Sequence, residues 1–272
     1  GTPFRLGDGY VYRIDPEGRS LGDDVTKDPY FLKCVHRVSA REMLDSGFIT
    51  PMRVGDINAS RYDTSGLQLN RMGQFNAGNV DRAFVGHGRK TAGIVADLIE
   101  QSRPYNGGVM IFAATVKHAE EVMASLPPSL SGMVTGETEK GKRKRVIDAY
   151  KEQRIRYLVS VGTLTTGFDV PHTQVIATLR QTESSALLQQ ILGRAWRLHD
   201  DKPYSVWFDY ANNAEAHFPD GDIYNPVIRA SKNAKSAAPL MAKCPDCSYQ
   251  NEFTCLPDHV DSPIDENGYC LD

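Results

Sequence analysis

A doubly wound α/β fold, a parallel sheet with helices on both faces, is predicted for the second half of this chain of 272 residues. Two patterns predict it. From Gly107 to Tyr210 the sequence returns repeatedly to short continuous apolar runs, the signature of strands buried on both sides. Between them lie segments of about 10–15 residues with apolar positions at helical spacing, and strands alternating with such helices form parallel sheets.

The first hundred residues are weakly patterned. Gly1 to Gly9 is rich in turn residues, and Asp15-Pro16-Glu17-Gly18 and Gly22-Asp23-Asp24 read as surface loops. Ser39 with Glu42 three positions on is a capping-box pair, and Gly47 can stop the helix it starts, so a short helix is expected over Ser39 to Ser46. Arg61 to Gly78, polar and short of clustered hydrophobes, reads as a long irregular connection. Ile94, Val95, Leu98 and Ile99 recur at helical spacing and predict a helix around Lys90 to Ser102. Val109 to Ala113 is then a buried strand, and Val116, Ala119, Val122, Met123 and Leu126 line one side of the next helix. Met133-Val134 is a brief strand, followed by a basic helix through Val146, Ile147 and Tyr150. Tyr157 to Val161 and Gln174 to Leu179 are further strands. A helix from Ser184 to Leu198 and a strand from Ser205 to Tyr210 complete the pattern, and periodicity stops after Ala211. The expected organisation is an irregular N-terminal extension and linker over 1–105, with helices packing on the core. The α/β domain follows over 106–230, and a linker with a short cysteine-containing tail over 231–272.

Composition excludes more than it selects. With 40% hydrophobic and 24% charged residues the chain is an ordinary globular one. No run approaches the ~18 apolar residues of a membrane span, and no signal-peptide pattern opens the sequence, so no membrane partner is expected. Lys and Arg number 31 against 34 Asp and Glu, a net charge of −3, so a phosphate-backbone partner would have to meet a local basic patch. Of five cysteines, one is Cys34, which reads as an ordinary half-buried thiol, and four lie between 244 and 270. That is no disulfide framework; it fits a cytoplasmic chain with a metal site near its C-terminus.

Two segments carry candidate chemistry. At about 100° per residue, Leu187, Leu188, Ile191, Leu192 and Ala195 share one arc of the Ser184 to Leu198 helix, and Gln190, Gly193, Arg194 and Arg197 another. A glycine inside a helix costs about 1 kcal/mol against alanine and suggests close approach by a partner, and arginine suits a fork-like hold on phosphate. The competing reading is a plain solvated face. Gly162 to Pro171, after a strand, combines Thr163, Thr165, Thr166, Gly167 and Asp169. Its N–H groups and hydroxyls can hold phosphate and Asp169 can accept from a ribose hydroxyl, although alone such a loop is also an ordinary turn. Ligands of doubly wound sheets sit beyond the carboxyl ends of the strands, where these loops are expected to fall.

Gln190-Ile191-Leu192-Gly193-Arg194-Ala195-Trp196-Arg197 fits QxxGRxxR and resembles motif VI of superfamily 2 helicases. Thr163 to Asp169 resembles their motif V and Met110 to Thr115 their motif IV, all in the expected order. Val134-Thr135-Gly136 falls where that superfamily places another phosphate-contacting turn, and Thr2 to Gly7 resembles the tail of motif III. Asp45 to Pro51, the long insert and the Cys-Pro-Asp-Cys tail further resemble the bacterial RadD (YejH-like) DNA-repair helicases.

The resemblance implies the second RecA-like domain of an ATP-dependent DNA helicase or translocase acting in repair. ATP and Mg²⁺ would lie in a cleft against the first RecA-like domain of the same polypeptide, which binds most of the nucleotide. Arg194 and Arg197 would be arginine fingers with Gln190 beside them, and Gly167, Asp169 and Gly193 would touch the nucleotide. Phe112, Thr115, Thr135, Gly136, Thr163 and Thr166 would track single-stranded or branched DNA. Lys140, Lys142, Arg143, Lys144 and Arg145, the densest charge cluster, fit a backbone contact through Arg143 and Arg145, or a solvated helix start. Gly86-His87-Gly88-Arg89-Lys90-Thr91 is not a Walker A loop, because Arg89 breaks the order of glycine, lysine and threonine; it reads as a loop entering a helix. With no Walker A and no acidic Mg²⁺ motif, the expectation is a fragment that alone turns over no ATP. The alternative is a stand-alone nucleic-acid-binding or regulatory module; a dehydrogenase is disfavoured by the lack of G-x-G-x-x-G after a strand. Cys244 and Cys247 form a Cys-x2-Cys knuckle which, with Cys255 and Cys270 and with His259 available, is a candidate Zn²⁺ site; the alternative is an unmetallated tail.

Overall fold

The computed structural model describes residues 4–5, 9–22, 25, 29, 31–70, 74–162, 168–225, 240–243 and 250–253. In the extension, β1 (Phe4–Arg5) pairs antiparallel with β2 (Gly9–Tyr10), and β3 (Tyr12–Ile14) parallel with β4 (Phe31–Lys33). Helix α1 (Ala40–Asp45) is closed by the expected capping box: Ser39 Oγ accepts from the Glu42 N–H at 3.1 Å and Glu42 accepts from the Ser39 N–H at 2.7 Å. Next come β5 (Met52–Val54), α2 (Ala77–Phe84) and α3 (Gly88–Ser102). They are followed by β6 (Gly108–Phe112), α4 (Val116–Ser125), β7 (Ser131–Val134), α5 (Lys140–Lys151) and β8 (Tyr157–Ser160). The chain continues through β9 (Thr173–Thr178), α6 (Ser185–Leu192), β10 (Ser205–Asp209) and α7 (Asn213–His217), and β11 (Leu240–Lys243) pairs antiparallel with β12 (Gln250–Phe253).

Six strands form one parallel sheet in the order β5-β10-β9-β6-β8-β7. Strand side chains alternate between faces, so Val109, Ile111, Val175 and Phe208 pack with Ile94, Leu98 and Val122 of α3 and α4, on one side. Met110, Ile176 and Trp207 pack with Tyr150 of α5 and with Leu188, Ile191 and Leu192 of α6 on the other. The predicted doubly wound α/β architecture is the observed one.

Three elements differ from expectation. β5 is three residues without an apolar run, and it joins the sheet edge only by pairing Met52 with Ser205 and Val54 with Trp207. α7 forms because buried Asp209 accepts the Ala214 N–H at 2.8 Å through Oδ2 while Oδ1 accepts from Thr178 and Asn213, each at 2.9 Å. The third is the end of α6: the helix stops at Leu192, Gly193 is its C-cap, and the Arg194 and Ala195 N–H groups bond back to Ile191 and Leu192 in a tightened turn. Gly193 is therefore not a helix-interior glycine. A Cβ there would lie 3.0 Å from the Gln189 carbonyl oxygen and 3.8 Å from the Trp196 ring, so the close approach it permits is by its own chain.

A buried polar chain crosses the α3–α4 face. His118 Nδ1 accepts the Ala114 N–H at 3.2 Å, His118 Nε2 meets the Tyr62 hydroxyl at 2.9 Å, and that hydroxyl lies 2.9 Å from Thr91 Oγ1. With Nδ1 accepting, the proton sits on Nε2. Burial pushes the His118 pKa from 6.5 down to about 4. Between those values the unfolded chain binds a proton that the folded chain refuses, so stability is lost as pH falls through that window. Urea unfolding is expected to show about 2 kcal/mol less stability at pH 5 than at pH 7 from this residue alone. His118→Gln should flatten the profile; an unchanged pH dependence in the variant would contradict the assignment.

Candidate functional site

The candidate residues divide between the two ends of the sheet. Ala113 to Thr115 follows β6, Thr135-Gly136 follows β7 and Val161-Gly162 follows β8, all at the carboxyl ends. Arg194, Arg197 and Asp169 gather instead at the amino ends, beside the starts of β5, β9 and β10, which corrects the expectation that all the polar loops fall beyond the carboxyl ends. The segment from β8 to β9 accounts for the split. Ser160 pairs with Phe112 at one end of β6, whereas Thr173 pairs with Gly108 at the other, so the two ends of this connection lie at opposite rims of the sheet. Thr163, Thr166 and Gly167 lie outside the described residues.

At the amino end, Arg197 Nε is 2.7 Å from Asp169 Oδ1 in an ion pair whose arginine side chain is 31% exposed and whose carboxylate is 72% exposed. Arg197 Nη1 is buried with no hydrogen-bond partner among the described residues. Arg194 is only 7% exposed, and its Nη1 donates to the Phe168 carbonyl at 2.6 Å. Burial lowers the Arg194 pKa, the nearby Arg197 charge lowers it further and Asp169 opposes both, and an arginine stays protonated regardless. The helical face of two arginines one turn apart is thus replaced by a turn that gathers both around Phe168 and Asp169. Gln190 is half-buried on α6.

Two residues not singled out in the sequence hold this turn. Thr50 donates its N–H to the Trp196 carbonyl at 2.7 Å and its hydroxyl to the Arg197 carbonyl at 2.9 Å. Buried Lys202 donates from Nζ to the carbonyls of Pro171 at 2.8 Å and of Thr173 and Ala195 at 2.9 Å. Burial, then the Arg197 charge, pushes its pKa down to about 8, so it is still mainly ammonium at neutral pH. Lys202 thereby staples the segment after Asp169 to the turn that carries the arginines. Both residues act on backbone carbonyls, most of them about thirty residues or more away in the chain, which leaves no sequence signal.

At the carboxyl end the placement is mixed. Phe112 is 2% exposed and belongs to the core under α5 and α6, so its side chain is not available to a strand of nucleic acid. Thr115 caps α4, its Oγ1 accepting the His118 N–H at 3.2 Å. Thr135 is buried in a turn with Thr138, whose Oγ1 accepts the Thr135 N–H at 2.8 Å, and Gly136 is exposed. Arg143 Nη2 donates to the Thr135 carbonyl at 2.6 Å, so it shapes this turn, while Arg145 stands exposed. The basic helix start has its own counter-charge, since Glu139 caps α5 by accepting the Gly141 and Lys142 N–H groups at 2.7 and 2.8 Å. Cys244, Cys247, Cys255, His259 and Cys270 lie outside the described residues, and among the described residues no group of three or more His, Cys, Asp or Glu is placed to hold a metal ion. No helix among the described residues is long and apolar enough to cross a membrane.

Known proteins resemble this chain in sequence and in fold. Residues 91–199 match the helicase conserved C-terminal domain. The chain is 34% identical over 77 residues to IRC3 of Saccharomyces cerevisiae, a protein named as an ATP-dependent helicase; the match covers 28% of this chain and 11% of IRC3. Among solved structures, a fragment of an HsdR-type subunit of a type I restriction enzyme from Vibrio vulnificus YJ016 matches with a TM-score of 0.53 and 22% identity, over 74% of this chain and 39% of that one. Residues 91–199 thus resemble a helicase conserved C-terminal domain, and the six-stranded parallel sheet shares its fold with the restriction-enzyme fragment. The chain spans well under half the length of either relative.

Proposed function

We propose that this chain is the second RecA-like half of an ATP-dependent DNA motor that acts in cytoplasmic DNA repair, of the RadD type. In this reading the arginine turn faces ATP held mainly by a first RecA-like domain of the same polypeptide. The observation that carries the proposal is Arg197: a guanidinium anchored through Nε to an exposed carboxylate while its buried Nη1 finds no acceptor within the described chain. A buried donor without an acceptor costs roughly 1–3 kcal/mol, and a phosphate oxygen is the partner that suits arginine. The residues present therefore fit a nucleotide.

Bound ATP with Mg²⁺ supplies the phosphoanhydride bond whose cleavage drives the motor. Arg197 would neutralise its terminal phosphate, Arg194 would add positive potential while it keeps Phe168 and Asp169 in place, and Gln190, Gly193 and Asp169 would border the same site, a role the motif resemblance also gives Gly167. At the other end of the sheet the exposed Gly136 and Arg145, with Thr115, follow the phosphates of one DNA strand, a role the motif resemblance also gives Thr163 and Thr166. Thr135 and Arg143 shape the turn that presents them. The cysteines at 244, 247, 255 and 270 contribute to a zinc module. Order in the motif IV, V and VI residues supports the superfamily; the Asp45 to Pro51 stretch and the Cys-Pro-Asp-Cys tail support the RadD type.

The test separates the two halves of the proposal. The purified chain is expected to bind a labelled oligothymidylate with salt-dependent affinity and to show no ATP turnover. Robust turnover by this chain alone, or the absence of any salt-sensitive oligonucleotide binding, would overturn it.

A further inference from the structure

An open cavity of about 530 Å³ lies outside the arginine site, between the Tyr62 to Gln68 loop, α2 and the start of α3. Arg82, His87 and Lys90 line it, with Asp63 as the opposing carboxylate. Asp63 is partly spent: its Oδ1 accepts from the Ser65 N–H at 3.0 Å and the Ser65 hydroxyl at 2.6 Å. Lys90 makes no ion pair among the described residues, and its Nζ stands 5.8 Å from the centre of the Tyr62 ring. Arg82 is held in place by Asn79 and by the Gly78 carbonyl, neither of which cancels its charge. α3 also begins without a side-chain cap. Glu121 serves the far side of that helix start, accepting the Gly86 N–H at 2.7 Å and the Thr91 hydroxyl at 3.3 Å. The cavity therefore sets two side-chain cations, Arg82 and Lys90, against one carboxylate that is already engaged, a setting for an anion.

Asp63 follows Tyr62 in the loop that lines it. Tyr62 bonds Thr91 and His118, and His118 in turn accepts the Ala114 N–H, so one buried polar chain runs from beside the cavity to the Ala113 to Thr115 loop. All four lining residues named here precede residue 91, where the family match begins. We infer that this cavity is a second contact for single-stranded nucleic acid, taking a backbone phosphate of the strand that passes the Ala113 to Thr115 loop. The inference rests on the nucleic-acid part of the proposed function.

The test uses the whole chain and a fluorescent oligothymidylate. Lys90→Glu with Arg82→Glu should weaken binding about tenfold and reduce the log–log salt slope by about 0.7 for each phosphate no longer neutralised. Arg103→Glu, half that charge change placed at the far end of α3, should leave both within error. On adding oligothymidylate, the amide resonances of Arg89 and Lys90 should shift in the wild-type chain and stay still in the double variant; circular dichroism reports whether that variant is folded. Wild-type affinity and slope in the double variant overturn the cavity assignment while oligonucleotide binding itself stands. Equal weakening by Arg103→Glu overturns it in favour of general charge. Amide shifts produced as fully by inorganic phosphate alone assign the site to free phosphate instead. A wild-type chain that does not bind the oligonucleotide overturns this inference and the proposed function together.

Discussion

Arg197→Ala is expected to lower ATP turnover of the proposed two-domain motor by about a thousandfold, the effect of removing an arginine that stabilises charge on a transferring phosphoryl group. Oligonucleotide affinity of the unliganded protein should stay within a few-fold, because Arg197 lies at the end of the sheet away from Gly136 and Arg145. Folding should be little affected: the Asp169 carboxylate of the ion pair is 72% exposed, and pairs open to solvent on one side contribute roughly 0–1 kcal/mol. Arg197→Lys should fail to rescue, since a point charge cannot serve Asp169 and a phosphate at once as a planar fork does. Steady-state turnover with saturating single-stranded DNA checks all of this. Turnover within a few-fold of wild type in Arg197→Ala would remove the arginine from the chemistry and favour a domain that binds nucleic acid without helping hydrolysis.

Lys202→Met is expected to destabilise the fold by about 3 kcal/mol, read as a lower urea midpoint at unchanged m. The side chain is 5% exposed and satisfies three carbonyls at once. Methionine keeps most of the volume and supplies no donor, so the loss comes from orphaned carbonyls rather than from a cavity. Lys202→Arg should recover little, because a planar guanidinium does not match three carbonyls converging on one atom. A midpoint within error of wild type would show that water or local rearrangement satisfies those carbonyls.

The parallel core was legible because a strand buried on both faces leaves no alternation to misread: Val109 to Phe112 and Val175 to Thr178 are apolar nearly throughout. α1 was legible because its signal is local, one serine and one glutamate three apart. β5 and α7 were not, since each exists only through distant partners, Ser205 for Met52 and Asp209 for Ala214. The arginines were found by motif, but their surroundings were not. Helical periodicity was carried through Gly193 although glycine there ends the helix, and Thr50 and Lys202 speak only to backbone atoms. Phe112 shows a reading that was available and missed, because the same unbroken apolar run that marks a central strand argues that its last aromatic side chain is packed inside.

The connection from β8 to β9 is moored at both ends, by the Val161 N–H on the Val134 carbonyl at 3.2 Å and by the Pro171 carbonyl on Lys202. At the second of these moorings Lys202 draws Pro171, Thr173 and Ala195 onto one ammonium, so the stretch that follows Asp169 and the turn that bears Arg194 and Arg197 are knotted together by a single charge. Removing that charge frees three carbonyls at once, so this rim of the sheet is expected to loosen as one unit and not strand by strand.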